Sequence, residues 1–142
     1  MRVSDIRDYI ETLGLADIVY SSKMPVDGTP KMIGVYNSKH PYPYKPAIGT
    51  QMSYGILHVT ILIHWTRDPD ETEVQAERIF NALTGTREAV VNGKTIKFII
   101  PEYETMDVGT DPNGIFERVI EAAVYYSTEP EYVNIKRSIS VL

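Results

Sequence analysis

The chain has 142 residues, no cysteine and a formal net charge of −5, with 43% hydrophobic and 23% charged residues. This is the composition of one soluble globular domain, and it excludes disulfide frameworks and thiolate metal sites. The acidic balance argues against general nucleic-acid binding, which needs clustered Lys and Arg, and no apolar run approaches the ~20 residues that span a bilayer. Ser4, Asp5, Arg7 and Asp8 interrupt the first apolar positions, unlike a secretion signal.

In chain order, Ser4 to Leu13 reads as an amphipathic helix. Ile6, Tyr9, Ile10 and Leu13 fall on one face, Ser4 is placed to cap it and Gly14 to end it. Asp17 to Tyr20 is a short extended segment. It opens a long irregular region, Ser21 to Ser53, interrupted by one predicted strand, Met32 to Tyr36. Pro25, Pro30, Pro41, Pro43 and Pro46 lie in that region, so His40 to Pro46 belongs to an edge or a loop. Tyr42 and Tyr44, set among these prolines, either anchor a protein interface or fold back over the domain's own core.

The best-patterned stretch is Gly55 to Gly85. Leu57, Val59, Ile61, Ile63 and Trp65 alternate with His58, Thr60, His64 and Thr66, as a sheet with one buried face requires. Asp68-Pro69-Asp70-Glu71 then starts a helix, with Asp68 as cap and Pro69 at its first position. Ala76, Ile79, Phe80 and Leu83 share a face of that helix, and Gly85 suits its end.

Glu88–Val91 and Thr95–Ile100 flank Asn92-Gly93, a hairpin signal closed by Pro101. Glu102 to Asp111 reads as acidic and irregular, and Asp111-Pro112-Asn113-Gly114 as a turn. A last strand follows over Ile115 to Ser127. Phe116, Ile120, Ala122, Val124 and Tyr126 share one face with Arg118 as the exception, and Glu117 and Glu121 take the other. The whole order predicts an α+β domain over residues 1–128, a mostly antiparallel sheet packed against two helices with a long Pro/Tyr-rich loop. Residues 129–142 form a tail carrying Tyr132, Val133, Ile135, Ile139, Val141 and Leu142, which either folds back or reaches a neighbour as an inter-subunit arm.

Charge is unevenly spread. Lys23, Lys31, Lys39 and Lys45 face only Asp27 between Ile18 and Thr50, while eight acids from Glu102 to Glu131 face Arg118 alone. Either both are solvated surface, or they form a head-to-tail contact between subunits. On the second reading the candidate interface residues are Lys39, Tyr42, Tyr44, Lys45, Glu102, Glu104, Asp107 and Asp111.

Residues for catalysis are harder to find. His58 and His64 share a strand face but stand six residues apart, roughly 20 Å, too far for one metal. His40 sits in a loop whose position the sequence does not fix. A calcium loop read from Asp107 places Pro112 at the required glycine, so Asp107, Asp111 and Asn113 read as turn formers. No phosphate loop, Gly-x-Ser-x-Gly elbow or cysteine nucleophile is present. The expectation is a protein that is not an enzyme and takes no cofactor or metal.

Three stretches resemble the tail terminator family of long-tailed bacteriophages, also labelled minor capsid proteins. They are Met24-Pro25 with Asp27 ahead of Met32-Ile33-Gly34-Val35-Tyr36, the strand through Ile63 with its helix ending Leu83-Thr84-Gly85, and Val108-Gly109-Thr110-Asp111-Pro112-Asn113-Gly114 leading into Ile115 to Tyr126. The likeness covers most of Val3 to Ser127. It departs where Asn37-Ser38-Lys39-His40 replaces the family's glycine pair, and only Arg67 matches, loosely, the arginine near the end of the central strand. The resemblance implies a structural protein of the virion, assembled in the host cytoplasm and located at the head-proximal end of the tail. There it would form a ring, typically a hexamer, that caps the tail tube, stops its polymerisation and offers a surface to the head connector. Its partners would be further copies of itself, the tube protein and the head-completion protein, with DNA passing through the lumen unbound and no membrane involved. The alternatives are a head-completion or connector protein, or a small-molecule-binding or enzymatic α+β domain.

Overall fold

A long antiparallel strand pair forms the middle of the molecule. In the computed structural model, which describes residues 1–26, 28–39 and 54–127, β3 (Tyr54–His64) pairs with β7 (Phe116–Ser127) in unbroken register from Tyr54↔Ser127 to His64↔Glu117. Asp27, His40, the Pro/Tyr loop with Tyr42, Tyr44 and Lys45, and the tail over 129–142 lie outside the described residues.

The remaining elements are α1 (Val3–Thr12), β1 (Ile18–Ser21), β2 (Met32–Asn37), α2 (Pro69–Thr84), β4 (Arg87–Val91), β5 (Lys94–Pro101) and β6 (Met106–Thr110). The sheet runs β1-β2-β3-β7-β5-β4, and β6 also pairs with β7. All pairings are antiparallel except β1 with β2, so the fold is α+β with a mostly antiparallel sheet. The free side of β7 is divided: β5 takes Ala122 to Ser127 and β6 takes Phe116 to Val119.

Alternation along the strands puts the apolar half against both helices. Val59, Ile61 and Ile63 of β3, Ile33 and Val35 of β2, and Ile120, Ala122 and Val124 of β7 are buried with Ile6 and Ile10 of α1 and Ala76, Ile79 and Leu83 of α2. Arg118, the charged exception on that face of β7, reaches out under α2. Its guanidinium bonds Thr105 Oγ1 at 3.2 Å and lies 3.9 Å from Glu73.

Local signals behave unevenly. Asp68 caps α2, its carboxylate accepting from the Asp70 and Glu71 amides at 3.0 and 3.3 Å. Asn92 and Gly93 turn the β4–β5 hairpin with φ of 50° and 75°, the positive values that a type I′ turn needs. Gly85 ends α2 at φ −82°, so the helix stops without a left-handed residue. The segment expected to be irregular, Glu102 to Asp111, contains β6. Met106 pairs with Val119 and, beyond a bulge between Asp107 and Gly109, Thr110 pairs with Phe116, so the ladder offered by the free half of β7 outweighs the acidic composition.

Ser4 is also not the cap of α1. The helix begins one residue earlier from Arg2, and Asp5 in the first turn accepts the Arg2 amide at 2.8 Å. The same buried carboxylate accepts from Asn92 Nδ2 and Lys94 Nζ, each at 2.8 Å, tying the start of α1 to the β4–β5 turn. Burial pushes the Asp5 pKa up, but the bonds from Lys94, Asn92 and Arg2 outweigh it and hold the carboxyl well below the usual carboxylate range. A depressed folded pKa gives stability that is present above the unfolded value, about 4, and lost as pH falls through the folded one. Asp5→Ala is therefore expected to lose about 1–3 kcal/mol at pH 7, with the deficit shrinking below about pH 4, as read by urea unfolding at both pH values. An equal deficit at pH 7 and pH 2.5 contradicts this role.

Candidate functional site

Both helices pack on one side of the sheet, and the polar half of the alternation faces the other. Its rows follow from the register. Met32, His64 and Glu117 form one, then Gly34, Leu62, Val119 and Met106, then Tyr36, Thr60 and Glu121, then His58, Ala123 and Ile100. Apolar Leu62, Val119 and Met106 thus run across the middle, bounded by carboxylates and histidines on both sides.

At one end His64 is fully buried between two acids. Its Nδ1 lies 3.0 Å from Glu117 Oε2, and its Nε2 lies 3.5 Å from Asp111 Oδ2, within ion-pair reach but not aligned as a hydrogen bond. Asp111 also builds the turn, its Oδ1 accepting from the Asn113 and Ile115 amides at 2.8 and 3.0 Å. Burial raises the Asp111 pKa, and the Ile115 and Asn113 amides with the charges of His64 and Arg67 outweigh that, so the carboxyl sits below its ordinary value. At the other end His58 Nδ1 lies 3.0 Å from Glu102 Oε1. Between them the buried Glu121 accepts from Thr60 Oγ1 at 2.8 and 2.9 Å and from Ser38 Oγ at 3.4 Å.

Towards β1, Tyr20 lies over Gly34, where any added Cβ would run into the phenol ring. Tyr36 donates to the Tyr20 hydroxyl at 2.9 Å, and the two rings meet edge to face at 5.9 Å. Burial, then the bond with Tyr36, pushes the Tyr20 pKa up and keeps the phenol neutral. Neither tyrosine was singled out from the sequence as part of this face.

The candidate interface residues fall in different places. Lys39 is exposed and lines a shallow groove with Thr60, Leu62, Val119 and Glu121. Glu102 joins the same face through His58. Glu104 lines a crevice under α2 with Glu73, Glu77 and Arg118. Asp107 stands on β6, where its carboxylate accepts the Gly109 amide at 2.8 Å, and Asp111 faces His64. Tyr42, Tyr44 and Lys45 lie outside the described residues. The two strand histidines take separate carboxylates, and among the described residues no three His, Asp or Glu side chains converge as a metal-ligand set. The His64–Asp111–Glu117 grouping escaped sequence reasoning because only the β3–β7 register shows that residues 64 and 117 are neighbours. The signal available was their shared polar parity.

No protein-family model matches the chain, and no curated protein matches it by sequence. Among solved structures, a chain of the "Virion of native gene transfer agent (GTA) particle" is similar in fold. The TM-score is 0.51 at 9% identity, over 77% of this chain and 78% of that one. At that identity the likeness is one of fold.

Asp111→Ala removes the acceptor for two turn amides and is expected to cost about 1–3 kcal/mol at neutral pH. Asp111→Asn keeps an oxygen for them and should recover most of that loss. Because the Asp111 pKa is lowered on folding, the alanine deficit should fade as pH drops below about 4. Denaturant midpoints for the two variants check this, and equal losses would contradict the turn-building role.

Proposed function

We propose that this chain is a structural protein of a phage-like virion, and within that class a tail terminator. Subunits would associate head to tail into a ring on the end of the tail tube, stop its growth and present a surface to the head. The observation that carries this reading is the fold shared with a gene transfer agent virion chain over about three quarters of both chains. The three sequence stretches that resemble tail terminators support it independently. So does the chemistry of the open sheet face, where histidines and carboxylates are held by one another or by hydroxyls. A head-completion or connector role is the second reading, since the shared virion fold supports that position equally.

Self-association by a heterologous contact closes into a ring when the rotation per subunit permits. If the basic stretch with Lys39 and Lys45 meets the acidic stretch after Glu102, exposed charges carry part of that contact, and salt screens them beyond about 10 Å at 0.1 M. Lys39→Glu with Lys45→Glu should then weaken self-association more at 50 mM than at 500 mM salt, measured by sedimentation. Equal weakening at both salts would contradict the electrostatic contact. Separately, the purified protein added to polymerising tube protein should shorten the tubes in proportion to its concentration. An unchanged length distribution would remove the terminator reading.

A further inference from the structure

On the open face of the sheet, Glu121 is a buried carboxylate without a cation. The residue is 7% exposed, and acids are taken that far out of water when they are paired or fully hydrogen-bonded. Its side-chain bonds come from two hydroxyls. Thr60 Oγ1 sits 2.8 and 2.9 Å from the two carboxylate oxygens with one proton to share between them, and Ser38 Oγ is 3.4 Å away. A carboxylate offers about four acceptor sites, so at least half of the capacity here is open. Among the described residues no basic side chain fills it. Lys39 stands on the rim of the same groove without an ion pair to Glu121, Arg118 points the other way under α2, and His58, one row along, is engaged by Glu102.

The groove beside this carboxylate has room for more than an ion. It measures about 470 Å³ and sets Tyr36, Leu62 and Val119 next to Thr60 and Glu121, with Leu62 and Val119 half-buried. A bare cation takes about the place of one water, ~30 Å³, and leaves the apolar floor wet. An ammonium on an alkyl stem serves both parts, the stem lying on Leu62 and Val119 while the head reaches the carboxylate. A guanidinium is the poorer match. Its fork needs both carboxylate oxygens from one side, and Thr60 Oγ1, almost equidistant from the two, holds the place between them. A compact ammonium needs one oxygen only.

We propose that this groove takes a lysine side chain presented by a partner protein, with Glu121 as its counter-ion and Leu62 and Val119 as the seat of its stem. Charge complementarity selects the occupant. The buried anion lacks a cation within its own chain, and its surroundings suit an apolar stem with a single positive tip. This deepens the assembly reading by naming the chemistry that one face of the subunit accepts, and it rests on that reading only in taking the partner to be a protein.

Solution NMR of the full chain tests this with Nα-acetyl-lysine methylamide and its neutral Nε-acetylated form as probes. The charged probe should shift the Leu62 and Val119 methyl signals and the Glu121 amide in a saturable way. The neutral probe should bind the same wild-type protein several-fold more weakly. Glu121→Gln keeps an oxygen for the Thr60 hydroxyl, and it should cost the charged probe about tenfold in affinity while leaving the neutral one unchanged. Equal binding of the two probes, or no saturable shift from either, would overturn the proposal. So would binding seen only in Lys39→Ala, which makes Lys39 the occupant, or shifts of the same signals with protein concentration alone, which makes it a second copy. The experiment needs neither tube nor head. A probe that binds as expected, with tube lengths unchanged by the protein, would keep this site and remove the terminator reading.

Discussion

The interaction on which the structure depends is the full-length pairing of β3 with β7. Eleven consecutive residue pairs fix which side chains face the helices and which face away. A slip of one residue would send Ile120, Ala122 and Val124 out of the core and bring Glu117, Val119 and Glu121 in, so burial of the apolar half holds the register. Everything on the far side of the sheet inherits its position from that constraint. The neighbours His64 and Glu117, Thr60 and Glu121, and Leu62 and Val119 are consequences of it.

The division of β7 between β5 and β6 is the second consequence. One twelve-residue strand served by two shorter ones leaves a break at Glu102 to Thr105, a crevice under α2 and an edge strand whose side chains are all exposed. The polar groups of the open face are engaged in holding the molecule together. Asp111 holds its turn and faces His64, Glu121 receives two hydroxyls, and Glu102 receives His58.

Much of this was legible in the chain, and the misses have physical causes. The β3 alternation, the Asp68 cap of α2 and the Asn92-Gly93 turn are local, set by residues within one turn or strand, and they stand in the structure as read. Gly34 reads as an ordinary strand glycine until the parallel β1 brings Tyr20 over it. Likewise β6 has only five residues, one of them Gly109, and becomes a strand because β7 has an unoccupied half beside it. Helix α1 was found but its cap was misplaced, since the Asp5 carboxylate that closes the first turn is fixed by Asn92 and Lys94, almost ninety residues away. The site residues divided along the same line. Asp107 and Asp111 follow from their own turns, whereas the pairing of His64 with Glu117 needs the sheet.

The proposed function has the subunit close into a ring at the end of a tube. Electron microscopy of tail tubes incubated with the purified protein tests it most directly. A ring of identical subunits at one end of each tube, absent from the tube walls, is the result expected. Particles bound along the walls, or bare tube ends at saturating protein, would contradict it.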